Sequence, residues 1–423
     1  MNAAESGTLA PVPPRVFYGW WLVLACLAIQ AVAGGAGIYL YSLFAGEVER
    51  SFSVDRATVM LAATGHAFAA GLLGPKLGDL MDRYSLRRIL IASALAMGSG
   101  FVLISFTPGV WGFIAGYTLL IPFGSVALVT LFAPLLLSRW FVRQRGLAIG
   151  IAALGTQLGG LAMPPLVAML TEAFDWRIAM RVVGVFVATA VTLLTYWTIV
   201  DRPQDRGLAP DGEVAKESIA AVQRGPLPGA KASLRAVLSD RNFWLASFGM
   251  SAITAMLSVV LSNLVLFATD IGASREKAAL LLSLFALIGM AMSPIVGRLC
   301  DLLDIRAVFA ALLTLGIIAL TFFTFTDTYQ GLVMCTIIVA LAGGGVSPFF
   351  GALVGRLFDL RIYGRAIGSM SLVVVTVSAA VPVLSGWLFD ATGSYRLMFL
   401  TLIVLMLIPL AYTPLIKPRA QGA

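Results

Sequence analysis

The stretch GDLMDRYSLR at residues 78–87 decides the fold, because a related stretch, GRLCDLLDIR, returns at residues 297–306. The offset between them is 219 residues (297 − 78). Two more pairs follow in the same order: RGLAIG at 145–150 is matched by YGRAIG at 363–368, and the aromatic–Arg end of DWR at 175–177 by that of SYR at 394–396. Three matches at nearly one offset indicate that the chain is a parallel duplication of one unit.

The composition places both units in a membrane. Hydrophobic residues make up 59% of the chain and charged residues only 12%, and the mean hydropathy is +0.94. An ordinary soluble domain carries about 25% charged residues, so this chain has too few to cover a water-facing surface. Its apolar residues also form long blocks, and about 20 such residues are enough to cross a bilayer as a helix. We therefore expect an integral α-helical membrane protein.

The apolar blocks predict an all-α membrane protein with twelve transmembrane helices in two pseudo-symmetric six-helix bundles. The helices are expected near residues 17–46, 56–79, 88–106, 109–138, 146–173, 178–200, 242–269, 276–299, 306–326, 329–357, 364–389 and 396–416. The domains that follow are a cytoplasmic tail at 1–16, a first bundle at 17–200, a polar cytoplasmic linker at 201–241, a second bundle at 242–416 and a cytoplasmic tail at 417–423.

The distribution of basic residues predicts the orientation. With a cytoplasmic N-terminus, 22 of the 29 Lys and Arg residues fall on the cytoplasmic side. The seven on the other side are Arg50, Arg56, Arg177, Arg181, Arg275, Lys277 and Arg396. Such a bias is the positive-inside signature, so we expect a multi-pass protein of the cell inner membrane with both termini cytoplasmic. Because the net charge of +8 lies in short clusters between apolar blocks, it does not indicate nucleic-acid binding.

The repeated loop carries a first resemblance. Gly78-x-x-x-Asp82-Arg83-x-x-x-Arg87-Arg88 resembles the loop signature of the major facilitator superfamily, with Ser85 where that family usually has Gly. Asp82 near a helix end could pair with Arg across the two halves, which predicts a cytoplasmic gate. The expected gate residues are Gly78, Asp82, Arg83, Arg87, Asp301 and Arg145. The alternative is a solvated basic loop that serves topology alone.

Three further stretches look like the monocarboxylate-porter and oxalate/formate-antiporter branch: YGWW at 18–21, RWFVRQRGLAIG at 139–150 and RPQDRGLAPDG at 202–212. The resemblance implies an Arg in the eighth helix that pairs with the substrate carboxylate, but Ser293 stands there. It also implies a first-helix Lys near Tyr39, and an eleventh-helix Lys that has no counterpart between Ile367 and Phe389. Because no charged residue is expected at mid-membrane depth, a dicarboxylate or oxalate carrier is disfavoured.

The polar residues inside the expected helices are the candidate cavity residues. The resemblance implies that helices one, four, seven and ten line a central path and that two, five, eight and eleven flank it. His66, the single His of the chain, is the one candidate that titrates near neutral pH. The candidates are Gln30, Tyr39, His66, Thr130, Gln157, Asn263, Ser293 and Ser347. Alternatively each one bonds a neighbouring helix, at about 0.6 kcal/mol. The stretch GGGVSP at 343–348 predicts a bend or break in helix ten.

These patterns favour a secondary active transporter that moves a small organic acid or related metabolite by alternating access. Proton coupling through His66 is a hypothesis, and facilitated diffusion fits nearly as well. GTQLGG at 155–160 resembles the helix-five motif of drug/proton antiporters, with Thr156 in place of their Pro, so amphiphile efflux is the alternative. A membrane sensor derived from a transporter is a third. We expect no catalytic residue, metal site or cofactor; the partners are a small-molecule substrate, protons and membrane lipid, and the working unit is a monomer.

Overall fold

The structure, a computed structural model, describes residues 17–141, 144–208, 238–358 and 363–417. The side chains of Asp82, Arg145, Tyr363, Gly364 and Arg365 lie outside the description. Within these limits twelve helices are long and apolar enough to cross a membrane. They are α1 (Tyr18–Phe52), α2 (Arg56–Met81), α3 (Leu86–Ser105), α4 (Val110–Trp140), α5 (Gly146–Ala173), α6 (Trp176–Thr198), α7 (Arg241–Asp270), α8 (Arg275–Leu302), α9 (Ile305–Phe325), α10 (Tyr329–Leu357), α11 (Ala366–Thr392) and α12 (Arg396–Leu415).

The two halves use the same packing partners. In the first half α1 packs on α5, α2 on α4 and α3 on α6; in the second α7 packs on α11, α8 on α10 and α9 on α12. Three pairs join the halves: α5 with α8, α2 with α11, and α1 with α7. The predicted fold of two pseudo-symmetric six-helix bundles is therefore confirmed. The domain boundary in the linker stays a prediction, because residues 209–237 lie outside the described residues.

Small residues bring the helices together. A Cβ added to Gly155 of α5 would lie 2.1 Å from the carbonyl oxygen of Leu27 on α1, and one added to Gly159 would lie 2.0 Å from that of Ala31. Two glycines four residues apart let two backbones approach where lipid provides no hydrophobic driving force. The helix pair α1–α5 therefore depends on these two positions.

Several helices depart from regular α geometry near their middle. Wider π-helical turns occupy Gly35–Tyr39 of α1 and Ser125–Leu131 of α4. Helix α10 ends at Gly343 and restarts at Val346, which confirms the break predicted from the GGGVSP stretch. Such interruptions re-aim side chains and recur at functional sites. The turn in α1 lies against α5, and the turn in α4 lies against α1 and α2.

The two ends of the bundle are called the proximal face and the distal face. The proximal face carries the start of α1, the end of α12 and the α2–α3 loop; the distal face carries the α1–α2 loop. On the proximal face the Tyr18 hydroxyl donates to the Thr198 carbonyl at 2.9 Å, and the Asn242 side chain donates to the Lys417 carbonyl at 3.3 Å. Each half is thus tied at its own proximal end.

Candidate functional site

A cavity of about 200 Å³ lies between the two halves, near the middle of the helices. Helices α1, α2 and α4 line it from the first half and α7 from the second. The lining residues are Gly37, Ile38, Tyr41, Ala63, His66, Ala67, Tyr117, Ser258, Leu261 and Ser262. None of these ten carries a formal charge, and His66 is the one among them with an imidazole side chain. We call this the central cavity.

His66 is held in the cavity wall by α4. Its Nε2 lies 3.2 Å from the hydroxyl oxygen of Ser125, which itself lies 3.3 Å from the carbonyl oxygen of Pro122. Both contacts are satisfied when Ser125 donates to Pro122 and accepts from Nε2–H. Among the described residues the buried Nδ1 then has no partner. In this tautomer Nδ1 carries the free lone pair.

Tyr117 adds a second unsatisfied group beside the imidazole. The two ring centroids are 5.5 Å apart, and the Tyr117 hydroxyl is buried without a hydrogen-bond partner among the described residues. The neighbouring Tyr41 differs, because its hydroxyl donates to the Val59 carbonyl at 2.8 Å. Unsatisfied buried polar atoms are costly, at about 1–3 kcal/mol each. Two such atoms, His66 Nδ1 and the Tyr117 hydroxyl, thus belong to residues that line the central cavity.

Two predicted cavity residues, Tyr39 and Gln157, form a pair instead. The Tyr39 hydroxyl donates to Gln157 Oε1 at 2.5 Å, joining α1 to α5. The amide nitrogen of Gln157 faces Gly289 of α8, where an added Cβ would lie 2.8 Å away. The pair therefore sits where the two halves touch, outside the lining of the central cavity.

The other candidates are distributed over the bundle. Gln30 is buried, and its side-chain nitrogen donates to the Val129 carbonyl of α4 at 2.9 Å, while its Oε1 has no partner among the described residues. Buried Asn263 donates to the Ser385 hydroxyl at 3.1 Å within the second half. Thr130 and Ser347 are exposed, and Ser293 is half-buried. Of the eight candidates, the structure places His66 in the lining of the central cavity.

The distal face is closed by an ion cluster around Arg56, the first residue of α2. Its guanidinium donates from Nε to Glu49 at 3.0 Å and from Nη1 to Asp270 of α7 at 2.7 Å. Nη1 also donates to the Tyr395 hydroxyl at 2.5 Å, and the Phe389 ring lies 4.0 Å from the guanidinium carbon. The Arg56 side chain is only 5% exposed. A buried charge needs such complete pairing, because an unpaired one costs several kcal/mol.

Two further contacts join the halves at the distal face. The Asp390 carboxylate of α11 accepts the backbone N–H groups of Arg56 and Ala57, at 3.1 and 2.8 Å. It thereby caps the N-terminus of α2, where negative charge is favoured. Arg275 of α8 forms an ion pair with Glu47 of α1. We call Glu49, Arg56, Asp270, Asp390 and Tyr395 the distal cluster.

At the proximal face, the contacts between the described residues of the two halves differ from those of the distal cluster. Among hydrogen bonds between described residues, the one joining the halves nearest to this face runs from the Ser283 hydroxyl to the Leu161 carbonyl, at 2.7 Å near mid-helix. Beyond that level, glycines on α2, α5 and α11 face empty space: a Cβ added there would meet no atom within 4 Å. These positions are Gly74, Gly78, Gly146, Gly150 and Gly368. The described residues thus join the halves at the distal face, whereas these five glycines near the proximal face border open space.

The predicted gate residues lie at the proximal face. Gly78 faces empty space, and Arg83 and Asp301 are exposed. The Arg87 side chain donates to the Tyr196 carbonyl and stacks on that ring at 4.6 Å, so it braces α3 against α6 within its own half. The side chains of Asp82 and Arg145 lie outside the description. A gate of these six residues therefore stays a prediction.

In the second copy of the motif the charges pair locally. Arg306 donates to the Asp304 carboxylate from its backbone N–H at 2.9 Å and from Nη2 at 2.6 Å. The Arg306 side chain is the larger cause that holds the pKa of Asp304 below its ordinary value, followed by the backbone hydrogen bond. In both halves an Arg also braces the end of a helix: Arg139 donates to the Met81 carbonyl and Arg356 to the Cys300 carbonyl.

The sequence did not single out several residues that line the cavity or join the halves: the distal cluster, Tyr117, Ser258 and Ser262. In the sequence Arg56 is one of seven basic residues on the non-cytoplasmic side, because a single sequence does not show that Asp270 and Tyr395 contact it in the fold. The weak signal was position: Arg56 begins a helix, Asp270 ends one, and Asp390 lies two residues before the end of another.

Comparison with known proteins identifies the family. The sequence profile of the Major Facilitator Superfamily matches residues 26–269 and 243–422. This chain is 30% identical to monocarboxylate transporter 11 of Mus musculus over 406 residues, covering 92% of this chain and 85% of the relative. The chain belongs to the major facilitator superfamily, in its monocarboxylate-transporter branch.

Other members of this superfamily align over similar lengths. Monocarboxylate transporter 11 of Homo sapiens is 28% identical over 92% of this chain and 80% of its own. An uncharacterized MFS-type transporter of Bacillus subtilis is 22% identical over 91% and 92%. The crystal structure of a bacterial homolog of the human lysosomal transporter Spinster superposes with a TM-score of 0.75 at 15% identity, over 96% of this chain and 99% of that one. At that identity the likeness supports the fold alone.

Proposed function

We propose that this transporter moves a small monocarboxylate-like organic acid by alternating access and binds it in the central cavity at His66. The observation that carries the proposal is the cavity itself: it lies between the halves, its lining is uncharged, and His66 Nδ1 and the Tyr117 hydroxyl have no partner there among the described residues. A volume of about 200 Å³ is below the roughly 300–1,000 Å³ of sites for drug-sized ligands. Small metabolites therefore fit better than the amphiphiles of the efflux alternative.

In an alternating-access cycle, one face is closed while the other gives access to the cavity. We infer that in this state the distal cluster closes the cavity on the distal side and that the acid reaches it from the proximal face. From the positive-inside bias we infer that the proximal face is the cytoplasmic one, in a cell inner membrane. Rocking of one half against the other, around the α5–α8 and α2–α11 contacts, would exchange the two faces.

Charge balance favours coupling to a proton. A carboxylate in an uncharged, low-dielectric cavity needs a positive partner, because an isolated charge at that depth costs at least ~2.5 kcal/mol. Protonation of His66 at Nδ1 supplies one without any Lys or Arg in the lining. The acid and one proton then cross together as a neutral pair. Without protonation of His66, the same cavity would serve a uniporter of neutral molecules.

Counterflow exchange in proteoliposomes tests the proposal. Vesicles preloaded with unlabelled lactate receive external labelled lactate, and protein-free vesicles correct for diffusion of the undissociated acid. We expect transient accumulation that unlabelled acid abolishes and the neutral analogue lactamide does not. Exchange of a lipophilic cation such as tetraphenylphosphonium, with no exchange of lactate or of other three- to five-carbon monocarboxylates, would overturn the proposal in favour of efflux.

A further inference from the structure

The guanidinium of Arg56 is shared between the two halves in a regular way. All five of its N–H groups have an acceptor. Nε and Nη2 hold the Glu49 carboxylate, at 3.0 and 3.3 Å, and Glu49 belongs to the same half. Nη1 and Nη2 hold the Asp270 carboxylate of the other half, at 2.7 and 3.3 Å, and the second Nη1 hydrogen goes to Tyr395. Each carboxylate therefore accepts two hydrogen bonds from one edge of the guanidinium, Glu49 from the Nε/Nη2 edge and Asp270 from the Nη1/Nη2 edge.

Opening of the distal face would separate these partners unequally. Glu49 moves with Arg56, because α1 and α2 belong to the same half. Asp270, Tyr395 and Phe389 move away with the other half. The Nε/Nη2 edge stays occupied, whereas the Nη1/Nη2 edge loses its carboxylate. An Arg edge that is shaped for one carboxylate and has lost it is a strong, geometrically selective anion site.

We propose that the Nη1/Nη2 edge of Arg56 is a distal binding position for the carboxylate of the transported acid. Asp270 occupies this position whenever the distal face is closed. The inference rests on the proposed function, since it requires an acid as substrate, and it adds a second site on the route to the central cavity. Arg56 precedes His66 by ten residues on α2, which places the two sites about 15 Å apart along the helix axis.

The burial of the partners fits this exchange. The Arg56 side chain is 5% exposed while that of Asp270 is 35% exposed, so the carboxylate at the rim is the more accessible partner. Asp390 is also lost from the α2 N-terminus on opening, because it belongs to α11, which leaves the Arg56 and Ala57 N–H groups facing the same space. An acid bound at Arg56 excludes Asp270 and so favours the distally open state. Release towards the central cavity lets Asp270 return and close the face behind the acid.

Two neutralising substitutions separate this role from a merely structural lock. A lock loses the same ion pair in Arg56→Gln and in Asp270→Asn, so both variants shift the KM for acid offered on the distal side in the same direction. A carboxylate site predicts opposite shifts. Asp270→Asn removes the competitor and lowers this KM, and Arg56→Gln removes the site and raises it, each by about fivefold or more. Asp270→Asn leaves Arg56 paired with Glu49, so it is the variant that keeps its fold.

The measurement uses full-length protein in right-side-out and inverted vesicles, with labelled lactate offered to one face at a time. Asp327→Asn is the control, because Asp327 is a distal carboxylate that is 77% exposed and pairs only with Arg396, at 3.7 Å. Failure of wild-type protein to carry any acid would refute the proposed function. Wild-type transport, with KM shifts of the same sign in the two variants or an unchanged KM in Asp270→Asn, would overturn the distal site alone. Should Arg56→Gln not insert, Arg56→Lys takes its place, because it keeps the charge and loses the paired N–H groups, and the carboxylate site predicts a raised KM for it while the lock predicts a shift of the same sign as in Asp270→Asn.

Discussion

His66 and Ser125 join α2 to α4 at the wall of the central cavity, with Nε2 and Oγ 3.2 Å apart. The contact occurs at the first residue of the π-helical turn of α4, which turns Ser125 towards α2. It fixes the imidazole by one nitrogen and leaves the other without a protein partner among the described residues. The proposed role of His66 in binding and proton uptake rests on this arrangement.

Ser125→Ala should loosen the imidazole without unfolding the protein. A hydrogen bond inside a membrane protein contributes about 0.6 kcal/mol, which corresponds to roughly threefold in an equilibrium constant. We expect the initial rate of acid uptake to fall about threefold and its pH profile to change, with thermal stability nearly unchanged. Ser138→Ala is the control, because the Ser138 hydroxyl bonds only its own helix, at the Leu135 carbonyl. Equal effects of the two variants would contradict the role of Ser125.

Tyr117→Phe removes a hydroxyl that has no protein partner. Because an unsatisfied buried hydroxyl is itself destabilising, its loss should leave the melting temperature unchanged or raise it. The KM for the acid should rise by about fivefold, as expected for one lost hydrogen bond of about 1 kcal/mol.

Tyr41→Phe provides the matched comparison, since the Tyr41 hydroxyl is bonded to the Val59 carbonyl at 2.8 Å. That variant should lose stability and keep its KM. An unchanged KM in Tyr117→Phe, measured beside a lowered melting temperature, would place the Tyr117 hydroxyl outside the binding site.

Gly386→Ala should hinder closure of the distal face. An added Cβ would lie 2.7 Å from the Cα of Ala57 across the contact between α11 and α2, and backbone cannot move aside cheaply. Overpacking of this kind costs the closed state about 1–3 kcal/mol. A Ser262→Cys reporter in the central cavity should then react faster with an impermeant maleimide added on the distal side. The same change at Gly109, where an added Cβ meets nothing within 4 Å, is the control. Equal labelling rates would show that this contact does not set distal access.

The fold was readable from the sequence because a bilayer allows few solutions. Each helix must be long and apolar, so the block at 146–173 gave the bounds of α5 directly. The internal repeat gave the pairing of the halves, and the three glycines at 343–345 gave the break in α10. These signals are local or periodic along the chain, so they can be read without knowing which residues contact one another in the fold.

The site was less readable, because it depends on which side chains meet. His66 stood out as a single titratable residue at mid-depth, and the structure places it in the cavity wall. Gln30 and Asn263 have the same polarity and depth, yet both bond neighbouring helices, and only the rotation of each helix distinguishes them from His66. Arg56 was hidden for the opposite reason: it looks like a loop residue until Asp270, over two hundred positions away, closes on it.

Proton uptake that accompanies the acid tests the central claim most directly. Proteoliposomes containing an internal pH dye receive lactate from outside at pH 6 and at pH 8, with wild-type protein or His66→Gln. The account predicts that wild-type vesicles acidify with the acid, faster at pH 6, in excess of protein-free vesicles, and that His66→Gln loses both the acidification and the pH dependence. Acidification by His66→Gln at the wild-type rate and with the wild-type pH profile would contradict it.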